Sequence, residues 1–271
     1  MTDLAPEREV LLAAEQVTKI FGRSARPAVD GVSISVAPGD FTAVVGESGS
    51  GKSTLARMLL RLLVPESGEV SFAGRPLAGL NRRQLLEFRA SVQCVLQDPA
   101  ASLNPRKTVR QALTEVVVLH RLARSGRASA ELAGEALRSV ELDPSVYLDR
   151  YPHQLSGGQR QRVLIARAIV LNPRIIIADE AVSALDASVK AGVLGLMERL
   201  RRERGIGYLF ITHDLPVVKK IAKQVYVMRN GVVVEHGTKD EIFQHPKTAY
   251  AAELLAAAPL PDPKAAAAWL H

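Results

Sequence analysis

Apolar positions along this chain occur in two patterns, short runs typical of strands and longer stretches with helical spacing. Residues 10–46 contain short strand-like segments separated by turns, among them the alternating stretch 32–36 and the apolar run Phe41–Val45. Further strands are predicted at 91–96, Ile175–Asp179, 208–212, 225–229 and 232–235, and helices at 54–63, 159–171, 189–204 and 247–258. Strands that alternate with helices predict an α/β fold with a mostly parallel sheet covered on both faces.

A long helical stretch interrupts this alternation. From residue 97 to residue 157 the sequence is helical in pattern and more polar, with loop signals at Asn104-Pro105 and Asp143-Pro144. We therefore expect a helical lobe inserted into the α/β core. Further along, Asn230-Gly231 separates two strand-like runs and predicts a tight hairpin.

The composition of the 271 residues is that of a globular protein with a sizeable core, since 47% are hydrophobic and 23% charged. No stretch free of Asp, Glu, Lys and Arg exceeds nine residues, so no membrane-spanning helix is expected. The start, MTDLAPEREV, carries acids before any apolar run and does not resemble a secretory signal. The single cysteine, Cys94, excludes an internal disulfide and a cysteine-built metal centre, and its strand position predicts a core side chain. We expect a cytosolic chain.

The chain is basic, with 35 Lys and Arg against 28 Asp and Glu and a formal net charge of +7. Such a balance suits nucleic acid or an anionic membrane face as a partner. Only 4% of the residues are aromatic, however, which is poor material for base-stacking platforms, so no nucleic acid partner is expected. A solvated face is predicted for the helix-borne cations Arg199, Arg201, Arg202 and Arg204.

A glycine-rich segment between a predicted strand and a predicted helix carries the strongest chemical signal. It has the pattern G-x-x-x-x-G-K-[ST] and consists of Gly46, Glu47, Ser48, Gly49, Ser50, Gly51, Lys52 and Ser53, followed by Thr54. The glycines of such a loop allow backbone N–H groups to wrap phosphates, and the following helix N-terminus favours anions. Lys52 would neutralise the β- and γ-phosphates, and the Ser53 hydroxyl would ligate Mg²⁺. The alternative is a flexible loop.

An apolar strand that ends in two carboxylates supplies the second signal. Ile175–Asp179 is apolar up to its last residue, and Glu180 follows it. Asp179 suits the outer shell of the Mg²⁺, and Glu180 suits a base that orients or deprotonates an attacking water. An apolar run before an acidic residue is also a common strand exit, so this signal depends on the phosphate loop before it.

The segment Leu155-Ser156-Gly157-Gly158-Gln159 opens a predicted helix and supplies the third signal. Its serine is a natural N-cap, and its two glycines expose backbone donors to an anion. The segment therefore predicts a second phosphate-binding surface, with a plain capped turn as the alternative.

Four predicted strands end in residues suited to phosphate, metal and proton chemistry. These residues are Gly46, Gln97, the pair Asp179 and Glu180, and His213. Because ligands of parallel α/β sheets bind beyond the carboxyl ends of the strands, we expect the four ends to converge on one site.

The order of these motifs resembles the ATP-binding cassette (ABC) family. The phosphate loop, LSGGQ at a helix start, the Asp-Glu strand end, Ser183-Ala184-Leu185-Asp186 and the strand before His213 cover nearly the whole chain. The resemblance implies a P-loop NTPase (RecA-like) sheet with an antiparallel β subdomain and an inserted helical signature subdomain over residues 98–160. It also implies a head-to-tail pair of cassettes that holds two ATP molecules, each phosphate loop facing the partner's LSGGQ.

The same resemblance assigns roles to matching positions. Phe21 corresponds to the aromatic that stacks on adenine, with a core side chain near a turn as the alternative. Gln97 resembles the glutamine that contacts Mg²⁺ and the water and links the site to the transporter. Asp186 resembles the residue that communicates across the dimer, and His213 the switch histidine that holds the γ-phosphate. The implied nucleotide contacts also include Ser156, Gly157, Gly158 and Gln159.

Two segments narrow the resemblance to peptide and nickel importer ATPases. One is the stretch 97–106, QDPAASLNPR, and the other comprises His245-Pro246, Tyr250, Leu254-Leu255 and Pro259. The second segment implies an ATPase domain over residues 1–245 and a short C-terminal extension over 246–271. Ala181 stands where proline commonly follows the glutamate, and the lack of a C-terminal cysteine cluster predicts no iron–sulfur centre.

The resemblance as a whole implies an ATP-hydrolysing importer subunit that energises peptide uptake, with ATP and Mg²⁺ as cofactors. Its expected partners are a second ABC ATPase subunit (identical or related), two transmembrane permease subunits and an extracytoplasmic solute-binding receptor. With one cassette and no span, the chain is expected to be peripheral, at the cytoplasmic face of the cell (inner) membrane. Nickel, opine or another solute is an alternative cargo, and a soluble cassette acting on nucleic acid is a distant alternative.

Overall fold

A mixed β-sheet forms the centre of the molecule in the computed structural model, which describes residues 10–22, 26–96 and 102–257. Within those ranges the sheet has six strands, in the spatial order β10 (Val232–Thr238), β9 (Gln224–Arg229), β3 (Phe41–Val45), β8 (Gly207–Ile211), β7 (Ile175–Asp179) and β6 (Val92–Val95). The strands from β9 to β6 are parallel, and β10 pairs antiparallel with β9. The predicted α/β sheet is therefore confirmed.

The predicted hairpin joins β9 to β10. Its two loop residues, Asn230 and Gly231, have φ angles of 50° and 86°. Positive φ at both positions is the requirement of a type I′ turn, which Asn-Gly satisfies with little strain.

A smaller antiparallel sheet lies beside the central one. Its order is β2 (Val29–Val36), β1 (Leu12–Lys19), β4 (Ser67–Phe72) and β5 (Arg75–Pro76). Residues of this sheet share one apolar cluster with residues of β7 and β8 and with the helix that follows the phosphate loop, among them Val17, Leu55 and Ile177. The antiparallel β subdomain is thus packed directly against the element that positions the loop.

Helices cover the central sheet and form the inserted lobe. They are α1 (Lys52–Leu59), α2 (Arg82–Ser91), α3 (Val109–Leu119), α4 (Gly126–Ser139), α5 (Pro144–Tyr147), α6 (Gly157–Ile169), α7 (Ala187–Arg204), α8 (Leu215–Ile221), α9 (Lys239–Gln244) and α10 (Ala249–Ala256). The predicted helical lobe is present as α3 to α5, which pack with α6 through buried side chains such as Leu113, Leu137 and Val163. No helix in the described part of the chain is both long and apolar enough to cross a membrane.

Several helix limits differ from the predicted ones because of local backbone chemistry. Helix α1 begins at Lys52, two residues early, since Gly51 occupies the N-cap with φ 102°, and it stops before Arg61, whose φ is 54°. Helix α7 begins at Ala187 because the Asp186 side chain accepts from the Val189 N–H, and it ends as predicted at Gly205, with φ 66°.

The predicted solvated face on α7 is wrong for two of its four cations. Arg199 donates to a Glu141 carboxylate oxygen at 2.7 Å and to the Ser139 carbonyl at 3.0 Å, which ties α7 to the end of α4. Arg201 donates to the Gly39 carbonyl at 2.8 Å and pairs with Glu198. Long side chains reach carbonyls of neighbouring elements here, so these half-buried arginines tie α7 to the lobe and to the turn before β3 as well as facing water.

Cys94 lies in β6 as predicted, but its side chain is half-buried rather than fully in the core. Burial raises the pKa of its thiol, with the charge of Arg167 opposing that shift. The thiol is therefore held in its protonated form, as suits a side chain that packs rather than reacts.

The chain returns to the central sheet at its C-terminal end. Tyr250 and Ala251 of α10 are buried in a cluster with Val45, Val225 and Val227 of the central sheet. The boundary predicted at residue 245 stays a prediction, and Pro259 of the predicted extension lies outside the described residues.

Candidate functional site

The phosphate loop runs from the carboxyl end of β3 into the first turn of α1. Gly46 has φ 149°, and a Cβ there would lie 2.1 Å from the Met228 carbonyl oxygen of β9. Gly51 has φ 102°, and a Cβ there would lie 2.3 Å from the Ala28 carbonyl oxygen. Both positions therefore require glycine for conformation and for space. Ser48, Gly49 and Ser50 complete the loop, and Thr54 lies in the first turn of α1.

The Lys52 ammonium lies within this loop, and the residue is only 6% exposed. Its Nζ donates to the carbonyls of Gly46 at 2.8 Å and Glu47 at 2.7 Å, and to Ser50 Oγ at 3.3 Å. Burial lowers the pKa of Lys52, and the carboxylates of Glu180 and Asp179 oppose that shift. The cation is thus held on loop oxygens that phosphate oxygens can replace.

A hydroxyl and a carboxylate from different elements meet beside the lysine. Ser53 Oγ donates to Asp179 Oδ1 at 3.2 Å, which connects the start of α1 to the end of β7. Burial raises the pKa of Asp179, the Ser53 hydrogen bond opposes that shift, and the charge of Glu180 adds to it. The nearby Glu180 carboxylate disfavours the charge of Asp179, and a divalent cation would stabilise that charge.

The Ser53 hydroxyl and the Asp179 carboxylate are suitable ligands for Mg²⁺. A hydroxyl and carboxylates are hard oxygen ligands, and Mg²⁺ usually takes few ligands from the protein and the rest from water and substrate phosphates. The described residues contain no group of three or more His, Cys, Asp or Glu side chains placed to hold a metal.

A carboxylate and an imidazole face each other across the carboxyl ends of β7 and β8. Glu180 Oε1 lies 3.2 Å from His213 Nδ1. Glu180 has φ 49°, its N–H donates to the Ile211 carbonyl at 2.8 Å, and its own carbonyl accepts from Ser183 Oγ at 2.9 Å. Its backbone is thus held in a left-handed conformation with the side chain 21% exposed, whereas the His213 side chain is 63% exposed.

The LSGGQ turn forms the capped helix start that the sequence predicts. The Gln159 N–H donates to Ser156 Oγ at 3.3 Å, and the Ser156 N–H donates to Gln159 Oε1 at 2.9 Å, a reciprocal capping box at the start of α6. A Cβ on Gly158 would lie 2.4 Å from Val189 Cγ1, whereas one on Gly157 would come no nearer than 3.7 Å to Leu185 Cδ2. Close packing against α7 therefore explains the second glycine but not the first.

Asp186 and Phe21, two further predicted residues, have contacts outside this group. Asp186 caps α7, and the N–H of Val189 with the Ser188 hydroxyl lowers the pKa of its carboxyl group. Phe21 is 46% exposed, with Lys19 Nζ 5.8 Å from its ring centroid, so its ring face is not buried in the core. Gln97 lies outside the described residues.

Two contacts of the phosphate loop were not predicted from the sequence. The Glu47 N–H donates to the hydroxyl of Tyr250 in α10 at 3.3 Å. The Gly231 N–H of the hairpin also donates to the Ser50 carbonyl, at 3.0 Å. Tyr250 belongs to the C-terminal pattern that the sequence singles out, but a separation of 203 residues gives no sequence signal for the contact itself.

The geometry of this edge defines a class of protein. A glycine loop with a buried lysine, a hydroxyl beside a carboxylate and a Glu–His pair converge at the carboxyl ends of the parallel strands of the central sheet. That arrangement is typical of a P-loop protein that binds a nucleoside triphosphate.

Comparison with known proteins identifies the family. The model of the ABC transporter family matches residues 29–183, more than half of the chain. This chain belongs to the ABC transporter family, as an ATP-binding cassette. The matched range includes the phosphate loop, LSGGQ and the Asp179–Glu180 pair, while His213 lies beyond it.

Named relatives and a solved structure agree with this membership. The oligopeptide transport ATP-binding protein OppF of Streptococcus mutans is 41% identical over 96% of this chain and 85% of its own length. The glutathione import ATP-binding protein GsiA of Salmonella paratyphi A is 46% identical over 90% of this chain, which spans only 39% of GsiA. The cassette MJ0796, solved as a dimer in a post-hydrolysis state with ADP and Pi, superposes with a TM-score of 0.73 at 30% identity, covering 84% of this chain and 99% of that one.

Proposed function

We propose that this chain hydrolyses ATP to energise an importer that takes up peptides through membrane partner subunits. The observation that carries the proposal is the convergence of Lys52, the Ser53–Asp179 pair and the Glu180–His213 pair beyond the ends of β3, β7 and β8. Side chains at this edge are suited to bind phosphate, to neutralise its charge and to accept a proton. The names of OppF and GsiA support peptides as the cargo.

Different residues of the chain perform the separate tasks of ATP hydrolysis. Loop N–H groups and the Lys52 ammonium bind the β- and γ-phosphates, and the developing charge on the γ-phosphate draws the lysine from its loop carbonyls. Glu180 orients the attacking water and accepts its proton, while His213 contacts the γ-phosphate from the neighbouring strand end. Ser53 and Asp179 would hold Mg²⁺, with Gln97 added by the family resemblance, and the ion would supply positive charge that stabilises phosphoryl transfer.

The proposed assembly is a head-to-tail pair of cassettes on a membrane complex. In that pair, the turn Ser156–Gln159 binds the ATP held by the partner's phosphate loop, Asp186 communicates across the interface, and Phe21 stacks on adenine. The dimer of MJ0796 supports pairing, and the open approach to Gly157 and the exposed ring of Phe21 leave room for these contacts. Two permease subunits and an extracytoplasmic receptor complete the complex, with this chain peripheral at the cytoplasmic face of the inner membrane.

The ATPase rate of the complex distinguishes the candidate cargoes. When the chain is purified with its membrane partners and receptor, we expect di- and oligopeptides to stimulate phosphate release, because cargo binding favours closure of the cassette pair. Stimulation by Ni²⁺ alone would replace the peptide cargo with nickel. Stimulation by RNA or DNA, without any membrane partner in the preparation, would instead favour a soluble cassette acting on nucleic acid.

A further inference from the structure

The C-terminal helix α10 contacts the phosphate loop through one hydroxyl group. Tyr250 Oη accepts a hydrogen bond from the Glu47 N–H at 3.3 Å, across 203 residues of sequence. We propose that Tyr250 is a positioning residue for nucleotide binding, which fixes the peptide unit on which the Lys52 ammonium rests. This inference rests on the proposed function, since it concerns the same ATP site.

The contact acts on a single peptide unit. The N–H of Glu47 and the C=O of Gly46 belong to the same planar group, and in a trans peptide they point in opposite directions. On one side this unit donates to Tyr250 Oη, and on the other its carbonyl accepts from Lys52 Nζ at 2.8 Å. The tyrosine hydroxyl therefore sets the direction in which the Gly46 carbonyl faces, and with it the position of the ammonium.

The unit needs such a fixed partner because it adjoins a glycine. Gly46 has φ 149°, a conformation that L side chains rarely adopt, and lacks a Cβ to restrict rotation of the adjoining peptide. Without an acceptor for the Glu47 N–H, only the Lys52 contact would hold the plane between the two residues. A turned plane would take the Gly46 carbonyl away from Lys52 and leave the ammonium without one of the oxygens that hold it.

Tyr250 is itself held firmly. Its residue is buried against the sheet, and the guanidinium carbon of Arg229 lies 4.5 Å from its ring centroid. The buried Glu235 accepts hydrogen bonds from the Lys247 N–H at 2.8 Å, the Thr248 N–H at 2.9 Å and the Thr248 hydroxyl at 2.7 Å, which anchors the turn before α10. The hydroxyl is thus presented to the loop by a fixed helix rather than by a mobile terminus.

Tyr250→Phe isolates the hydroxyl, because phenylalanine keeps the ring in the apolar cluster and beside Arg229. We expect the Kd of the full chain for Mg²⁺–AMP-PNP to rise about three- to tenfold, which corresponds to the free energy lost with one neutral hydrogen bond. At saturating ATP the kcat should change by less than about twofold, because the chemistry of Glu180 is untouched. Calorimetric titration gives the Kd, and steady-state ATPase assays separate KM from kcat.

Tyr226→Phe is the matched control. Its hydroxyl also accepts a backbone N–H, that of Ser35 at 3.4 Å, but this bond joins β9 to β2 and not to the phosphate loop. We expect both variants to show similar melting temperatures and only Tyr250→Phe to weaken nucleotide binding. An unchanged Kd in Tyr250→Phe, or an equal loss in both variants, would overturn the inference while wild-type binding upholds the ATP site. A wild-type chain that binds no nucleotide would overturn both.

Discussion

Replacing Glu180 with Gln is expected to lower ATP turnover by about 100- to 10,000-fold while leaving ATP affinity within about twofold. The amide matches the carboxylate in shape and keeps a contact with His213 at the 3.2 Å position, but it cannot accept the proton of the attacking water. Phosphate release measures turnover, and titration with ATP measures affinity.

Glu203→Gln is the control for that substitution. Glu203 is an exposed residue in the last turn of α7. Its replacement by Gln removes the same charge without changing a site residue. Its turnover should equal that of the wild type. Near-normal hydrolysis by Glu180→Gln would refute the assignment of the base, and a loss of ATP binding in that variant would show that Glu180 acts in binding instead.

Replacing Lys52 with Met is expected to weaken ATP binding on the order of 100-fold, since it removes a buried cation that faces the phosphates. The fold should survive. Burial lowers the pKa of Lys52, so the folded state holds its charged form less readily than the unfolded chain does, and the charge does not stabilise the fold at neutral pH. Methionine also fills the same volume. We therefore expect a melting temperature within about 4 °C of the wild type.

Lys219→Met is the control for this second substitution, because Lys219 is exposed on α8. It removes one positive charge from the chain and should leave ATP affinity unchanged. If Lys52→Met bound ATP within about twofold of the wild type, or if both variants lost affinity equally, the lysine would have no special place in phosphate binding.

The parts of the site that follow strand ends were predictable from sequence. Glycine spacing fixed the expectation for Gly46–Ser53, and the apolar run before Asp179 and Glu180 marked a buried strand exit. The topology explains why these residues meet, because parallel strands bring their carboxyl ends to one edge of the sheet. The same logic predicted His213 at that edge, and the structure adds its 3.2 Å contact with Glu180, which was not predicted.

Other features depend on contacts that no local pattern encodes. The left-handed φ of 49° at Glu180 is imposed by hydrogen bonds to Ile211 and Ser183, not by its own preference. Strand β4 is short and largely polar, and it is held by pairing with β1, which is distant in the sequence. Helix α2, in contrast, begins at a capping box of Asn81 and Gln84, a pattern that is readable in the sequence.

We propose that ATP hydrolysis on this chain drives peptide uptake. Accumulation of a labelled peptide in vesicles tests this coupling, with the complete complex of the chain, its membrane partners and its receptor reconstituted in the membrane. We expect ATP-dependent accumulation with the wild-type chain and none with Glu180→Gln at the same protein content. Equal accumulation with both chains, or accumulation that is independent of ATP, would refute the coupling.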